Sequence, residues 1–187
     1  CHTLAAAWTA MNKLMELASV QHGLIRSDQL PGADITRHQA RTLVRHGVLE
    51  RPVRGVYRVS GSPRTWQQRI LQDVFALGDG AAASHHTAAA LLEVPGFAPG
   101  GLVHVTKQGH PSRVLLAGRL HETCHLPATH LTTVDSIPVT TCGRLAFDLC
   151  QVLGDKRAGR AIDHMMNRDQ VGLAELEVVL ALLAKRG

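Results

Sequence analysis

The apolar side chains of the first thirty residues recur at helical spacing. They predict a first helix over 10–21, and Gly23 provides the flexible backbone that helix C-termini favour. A second, brief helix is predicted over 27–30, because Ser27 is a good N-cap and Pro31 then stops the helix. Two helices separated by a short extended link are therefore expected at the start of the chain.

A third helix is predicted from about Thr36 to His46, and its two sides differ in chemistry. Asp34 or Thr36 can cap its start, and Gly47 ends it. At about 100° per residue, the aliphatic side chains fall on one side of this helix and the basic ones on the other. The aliphatic side consists of Ile35, Ala40, Leu43 and Val44, and the basic side of Arg37, His38, Arg41 and Arg45. One face is suited to a hydrophobic core and the opposite face to an anion.

Two short β-prone runs follow the third helix, at 48–51 and 56–59, with a Pro and Gly turn between them. This pattern predicts a β-hairpin, which carries Arg51, Arg54 and Arg58. Three helices and a basic hairpin are the order of a winged helix-turn-helix. In that fold the third helix enters the major groove of DNA, and the hairpin touches the adjacent backbone or minor groove.

Helical and β-prone segments are mixed in the rest of the chain, after a linker at Gly61-Ser62-Pro63. Helices are predicted over 64–77, 85–92, 143–153, 157–168 and 174–185, and strands over 102–106, 113–116, 120–124 and 137–141. The predicted fold class is α+β, with a winged helix-turn-helix domain over 10–61 and a small mixed α/β domain over 64–187. Bracing of the DNA-binding domain, self-association and reception of a signal all stay open as roles for this second domain.

Positive charge is concentrated in one part of the chain. The net charge is +5, and nine arginines and no lysines lie from Arg26 to Arg69. Only three acidic residues share that stretch, Asp28, Asp34 and Glu50. Guanidinium groups match phosphate oxygens and the major-groove edge of guanine better than ammonium groups do. The charge therefore falls on the predicted winged helix and favours double-stranded DNA as a partner.

The composition is that of a globular protein, with 45% hydrophobic and 19% charged residues. No apolar run approaches the roughly 18 residues that a membrane span needs. The four cysteines have no paired spacing, and a domain of this size does not need disulfides. We therefore expect a cytoplasmic protein with no membrane partner.

Two histidine motifs suggest catalysis but lack the context for it. Residues 121–125 match H-E-x-x-H, which binds zinc when both histidines share one face of a helix. Here the motif follows a β-prone run, and histidines four apart on a strand are separated by about 13 Å, too far to share a metal ion. Ser84-His85-His86 lacks the glycines of a nucleophile elbow, and a helix N-cap accounts for Ser84. We therefore predict no catalytic residue, no metal site, no cofactor and no enzymatic activity.

The segment 14–61, LMELASVQHGLIRSDQLPGADITRHQARTLVRHGVLERPVRGVYRVSG, resembles the N-terminal domain of the AbiEi antitoxin family. The resemblance continues through 65–92 and 134–154. It implies a transcriptional repressor from a type IV toxin–antitoxin system that binds inverted repeats in its own promoter. It also implies a nucleotidyltransferase toxin that the antitoxin counteracts without a tight complex. The DNA-binding residues would be Thr36, Arg37, His38, Arg41 and Arg45, with Arg51, Arg54 and Arg58 on the wing.

Two alternatives to a repressor remain from the sequence: a basic domain that serves protein contacts alone, and a part of an endonuclease. Many relatives continue into a domain similar to very-short-patch-repair endonucleases, so the chain could be the DNA-targeting portion of such an enzyme, with its catalytic domain absent. The segment 155–187 does not supply the carboxylates on a sheet that such a nuclease needs, because its acidic residues lie on amphipathic helical patterns. A further departure from the family is Pro31, which shortens the second helix. The operator sequence, the oligomeric state and the toxin's identity stay open.

Overall fold

Helices and β-sheets occur in both halves of the chain, so the predicted α+β fold class is confirmed. The structure is a computed structural model that describes residues 2–109 and 118–184. The chain divides into two units, Cys1–Ala76 and Leu77–Gly187. The sequence had suggested a division near the linker at 61–64. The structure instead groups nearly all of the helix that follows this linker with the first unit.

The first unit combines helices with a three-stranded antiparallel sheet of order β1-β3-β2. In chain order its elements are α1 (His2–Ser19), β1 (Leu24–Arg26), a 3-10 helix (Leu30–Ala33), α2 (Arg37–Arg45), β2 (Leu49–Val53), β3 (Val56–Val59) and α3 (Trp66–Leu77). The expected extended link after the first helix is therefore a strand, β1, which pairs with β3. Helix α1 begins well before residue 10, where the sequence placed its start.

The predicted second helix over 27–30 is wrong, because a single 3-10 turn forms at Leu30–Ala33 instead. The backbone N–H of Ser27 donates a hydrogen bond to the carbonyl of Gly55 in the hairpin turn, rather than Ser27 capping a helix. Pro31 stands in the first positions of the 3-10 helix, where its missing N–H leaves no helical hydrogen bond unmade. A proline that was expected to stop a helix thus starts one.

A single hydrophobic cluster joins α1, the 3-10 helix, α2 and the sheet of the first unit. Its buried members are Ala10, Leu14, Ala18, Ile25, Leu30, Ala33, Ile35, Ala40, Leu49 and Tyr57. Leu43, Val44 and Val59 pack against this cluster while partly exposed. Burial of these aliphatic side chains contributes about 25 cal/mol for each Å² of apolar surface removed from water, which holds α2 against the rest of the unit.

The second unit contains a five-stranded mixed sheet of order β6-β5-β4-β8-β7. Its described elements are β4 (Ala82–Ala83), α4 (His85–Leu91), β5 (Val103–Gln108), β6 (Gly118–Thr123), a 3-10 helix (Ala128–His130), β7 (Leu131–Val134), β8 (Ile137–Thr140), α5 (Cys142–Cys150), α6 (Asp155–Asn167) and α7 (Leu173–Ala184). The predicted helices of this unit and three of its predicted strands are present within a few residues. The predicted strand at 113–116 lies outside the described residues, and the short strands β4 and β7 were not predicted.

Arg144 forms a buried ion pair within α5 and also contacts the end of β6. Arg144 Nε donates to Asp148 Oδ1 at 2.8 Å, and both side chains are almost fully buried. The other guanidinium nitrogens donate to the backbone carbonyl of His125 and to the hydroxyl of Thr123. Arg144 therefore holds the chain where it leaves β6.

None of the helices in the described part of the chain is long and apolar enough to cross a bilayer.

Candidate nucleic-acid interface

Helix α2 begins with a reciprocal capping box. Thr36 is the N-cap, and its hydroxyl oxygen accepts a hydrogen bond from the backbone N–H of Gln39 at 3.2 Å. In return, Gln39 Oε1 accepts from the backbone N–H of Thr36 at 2.8 Å. The box satisfies backbone donors that a helix start otherwise leaves open, which stabilises a helix of only nine residues. The predicted bounds of this helix, from Thr36 to His46, are confirmed.

The predicted division of α2 into two faces is also confirmed. Ala40 is completely buried on the inner side, and Leu43 and Val44 pack against the core. The outward-facing basic residues are all exposed: Arg37, His38, Arg41 and Arg45. The helix therefore presents a basic surface to solvent while its aliphatic side holds it in place. We call these four residues the α2 basic face.

The positive charge of the α2 basic face is not neutralised within the described residues. No carboxylate there forms an ion pair with Arg37, Arg41 or Arg45. Arg45 Nη2 donates to the hydroxyl of Thr42 at 3.1 Å, one turn earlier on the same helix. Guanidinium groups without acidic partners raise the local potential and can bind phosphate oxygens without first breaking an ion pair.

The predicted hairpin is present, with a tighter turn than the sequence suggested. Strand β2 continues to Val53, which pairs with Val56, so only Arg54 and Gly55 form the turn. Gly55 has a φ of 88°, in the left-handed region that glycine adopts without steric cost. Arg54 and Arg51 are both exposed, and the Arg51 guanidinium carbon lies 6.0 Å from the centre of the Tyr57 ring.

Arg58 departs from its expected place on the surface. It lies on the central strand β3, and its side chain is only 7% exposed. Its guanidinium donates a hydrogen bond to Glu50, its cross-strand neighbour in the register of β2 and β3. Tyr57 and Arg58 point to opposite faces of this strand and both are buried, so the hairpin has no face fully open to solvent. Arg58, which was expected to contact DNA from the wing, therefore forms an internal ion pair instead.

Apart from the buried Arg58, the structure sorts the predicted site residues into three groups. Arg37, His38, Arg41 and Arg45 lie together on α2, while Arg51 and Arg54 lie on the hairpin. Thr36 is exposed, but its hydroxyl is used in the capping box. The residue that sequence analysis missed is Glu50. It stands eight positions before Arg58, and the two side chains face each other once the turn is centred on Arg54 and Gly55.

Comparison with known proteins finds a family match in this region. Residues 12–60 match the model of the AbiEi antitoxin transcriptional regulators, the family that the sequence resembles. We call residues 12–60 the AbiEi segment, which contains both the α2 basic face and the hairpin. A search of curated proteins found no match.

A solved structure is similar over most of the chain. The crystal structure of the RV2827C protein from Mycobacterium tuberculosis matches with a TM-score of 0.55 at 14% sequence identity. The match covers 90% of this chain and 69% of that chain. At this identity the likeness shows the fold alone, which extends beyond the AbiEi segment into the second unit.

Proposed function

We propose that the protein is a DNA-binding transcriptional repressor of the antitoxin type, and that α2 enters the major groove of its operator. The observation that carries the proposal is the α2 basic face, which is exposed and uncompensated on a helix whose other side is fixed in the core. The match of residues 12–60 to antitoxin transcriptional regulators supports the same role.

In this proposal the two arginine-bearing elements have different tasks. Arg37, Arg41 and Arg45 bind phosphate oxygens or the guanine edge in the major groove, together with His38. Arg51 and Arg54 on the hairpin bind the adjacent backbone or minor groove. Thr36 acts close to the DNA by fixing the first turn of α2, and Arg58 acts only by stabilising the hairpin.

The finer biological role extends the same proposal. The protein is cytoplasmic and acts as the antitoxin of a type IV system. It binds inverted repeats in its own promoter and so represses it. Its toxin is a nucleotidyltransferase that it counteracts without a stable complex. The chain works by binding rather than by catalysis.

Band shifts with DNA from upstream of the gene test the proposal. Simultaneous Arg41→Ala and Arg45→Ala substitution should weaken binding of the full chain by roughly 2 kcal/mol or more, because two direct contacts are lost. The matched control is Arg160→Ala with Arg168→Ala, which removes the same charge from exposed positions on and next to α6.

Retained affinity in the control and lost affinity in the α2 variant support the proposal. Unchanged affinity in the α2 variant would remove this helix from the mechanism. Genomic footprinting of the native protein then identifies the operator, and footprints absent from its own promoter would contradict autorepression.

A further inference from the structure

Three histidines from separate elements of the second unit come together at one point. His85 is the first residue of α4, His104 lies on β5 and His121 on β6. A ring nitrogen from each residue lies within 4.8 Å of those of the other two. His121 pairs in register with Thr106, two positions after His104 on the neighbouring parallel strand, and His104 Nδ1 lies 2.9 Å from His121 Nε2. We call these three residues the histidine cluster.

His85 is the most constrained member of the cluster. It is 2% exposed, and its Nε2 is buried without a hydrogen-bond partner among residues 2–109 and 118–184. Leaving a buried ring nitrogen unpaired is unfavourable, so such an atom calls for an explanation. The backbone of His85 also has a φ of 49°, a left-handed conformation that non-glycine residues rarely adopt and that recurs at functional sites.

A second layer of hydrogen bonds orients the His85 ring. Its Nδ1 lies 3.0 Å from the hydroxyl oxygen of Ser84, which in turn accepts a hydrogen bond from Thr106 at 2.7 Å. With the proton on Nδ1, the ring donates to Ser84 and Nε2 keeps its lone pair. The His85 ring stacks on the His121 ring, with the two ring centres 3.6 Å apart. Metal-binding histidines are held in this way, with the second ring nitrogen bonded to a neighbouring oxygen.

We infer that His85, His104 and His121 form a binding site for a late first-row divalent metal ion of the zinc type. Imidazole nitrogens are the ligands that such ions prefer over the oxygen ligands of magnesium and calcium. Bonds of about 2.0–2.1 Å in tetrahedral geometry would place ligand nitrogens about 3.3 Å apart. Rotation of the side chains about the ion would open the 2.9 Å hydrogen bond between His104 and His121 to that value and turn the His85 ring out of its stack on His121.

The charge state of the cluster agrees with metal binding. Burial lowers the pKa of His85 to about 3 and that of His104 to about 4, so both rings are neutral and keep a lone pair at neutral pH. The charged groups that act on the cluster are Arg119 and Arg144, with His86 as a further histidine beside it. Three neutral ligands in a positive environment favour a water-derived hydroxide or another anion as the fourth ligand.

Only one histidine of the H-E-x-x-H match belongs to the histidine cluster. His121 lies on β6 and belongs to the cluster, whereas His125 follows the strand and its ring lies 5.9 Å from that of His130. That His121 and His125 do not share a zinc ion stays a prediction. The ligands come instead from neighbouring strands and the start of α4, so a metal ion would connect the edge strand β6 to β5 and α4.

Metal binding is tested on the full chain, purified without a polyhistidine tag and freed of metal with a chelator. Zn²⁺ is then titrated in competition with a chromophoric chelator, and Co²⁺ is added separately to record its visible absorption. We expect one equivalent of Zn²⁺ per chain, tetrahedral Co²⁺ bands, and a melting temperature raised by several degrees. Glutamine keeps much of the size and polarity of histidine, so His104→Gln and His121→Gln should each lower the Zn²⁺ affinity at least 10-fold.

The controls are His125→Gln and Cys124→Ser, which remove neighbouring metal-binding side chains outside the cluster. Both should keep the parent affinity. The inference is overturned if the parent binds no Zn²⁺, or if the two cluster variants keep the parent affinity, whatever the controls do. Should a cluster variant fail to fold, the Co²⁺ spectrum of the parent decides: absence of tetrahedral bands overturns the inference.

Discussion

Arg54 and Arg58 lie four positions apart on one hairpin, yet their structural roles differ. Arg54 is exposed in the turn, so its guanidinium stays hydrated. Arg58 is buried on β3, and its charge is tolerated because Glu50 accepts a hydrogen bond from it. Glu50 is 43% exposed, so water shares in the stabilisation of this pair. The same residue type is thus a surface contact at one position and part of the interior at the other.

Substitution of these two arginines should separate stability from DNA binding. Arg58→Ala should lower the free energy of unfolding by about 1–3 kcal/mol, because it removes a packed side chain and its ion pair while Glu50 can still be hydrated. Arg54→Ala should change that free energy by no more than about 0.5 kcal/mol. Urea unfolding monitored by circular dichroism measures both values.

Band shifts at matched concentrations of folded protein complete this comparison. Arg54→Ala should weaken DNA binding, while Arg58→Ala should keep the affinity of its folded fraction. The internal role of Arg58 would be contradicted by full stability together with a loss of DNA affinity equal to that of Arg54→Ala.

At the scale of elements, α2 depends on its ends as much as on its faces. A helix of nine residues is too short to be stable alone in water. The Thr36 and Gln39 capping box fixes its first turn, while Ala40 anchors its inner side. Because Arg37, Arg41 and His38 lie in the first turns after this cap, loss of the cap would disorder the side chains proposed to read DNA.

Variants of Thr36 distinguish capping from direct contact with DNA. Thr36→Ala should lower the free energy of unfolding by about 1 kcal/mol and weaken operator binding, because Gln39 loses its partner. Thr36→Ser keeps the capping hydroxyl and should keep both stability and affinity. Thermal unfolding and band shifts of the two variants provide the measurements. If serine binds DNA as poorly as alanine while remaining stable, the threonine methyl group contacts DNA and capping is not its main contribution.

Elements fixed by local sequence could be predicted, and those fixed by distant contacts could not. The bounds of α2 follow from Thr36, Gly47 and the spacing of its aliphatic residues, all within one segment. The second helix was misplaced because the backbone of Ser27 bonds to Gly55 in the hairpin, a partner twenty-eight residues away. A local pattern around Ser27 carries no information about that bond.

The two site features that were missed are also non-local. The burial of Arg58 depends on both faces of its strand being covered, whereas hairpin sequences usually indicate one open face. The histidine cluster brings together positions 85, 104 and 121, which only the parallel pairing of β5 with β6 and the start of α4 make neighbours. Spacing rules for metal motifs apply to ligands on one element, so they could not find this cluster.

At the scale of the whole molecule, the net charge is divided unequally between the two units. The first unit carries ten basic and five acidic residues, and the second carries ten of each. The entire net charge of +5 is thus found in the unit that contains the AbiEi segment. A nucleic-acid partner would be attracted to that unit before any base is read.

The salt dependence of DNA binding measures how many of these positive charges contact phosphates. With about four to six phosphate contacts, the logarithm of DNA affinity should fall with the logarithm of salt concentration at a slope near −4 to −5. Combined Arg41→Ala and Arg45→Ala substitution should make this slope shallower by about 2 if both side chains bind phosphates, since each lost contact removes roughly one released counterion. Arg160→Ala with Arg168→Ala changes the net charge equally and should leave the slope unchanged. Fluorescence anisotropy with operator DNA over a range of salt concentrations gives all three slopes. Equal reductions in the two double variants would mean that only net charge matters, and that α2 has no special place at the phosphates.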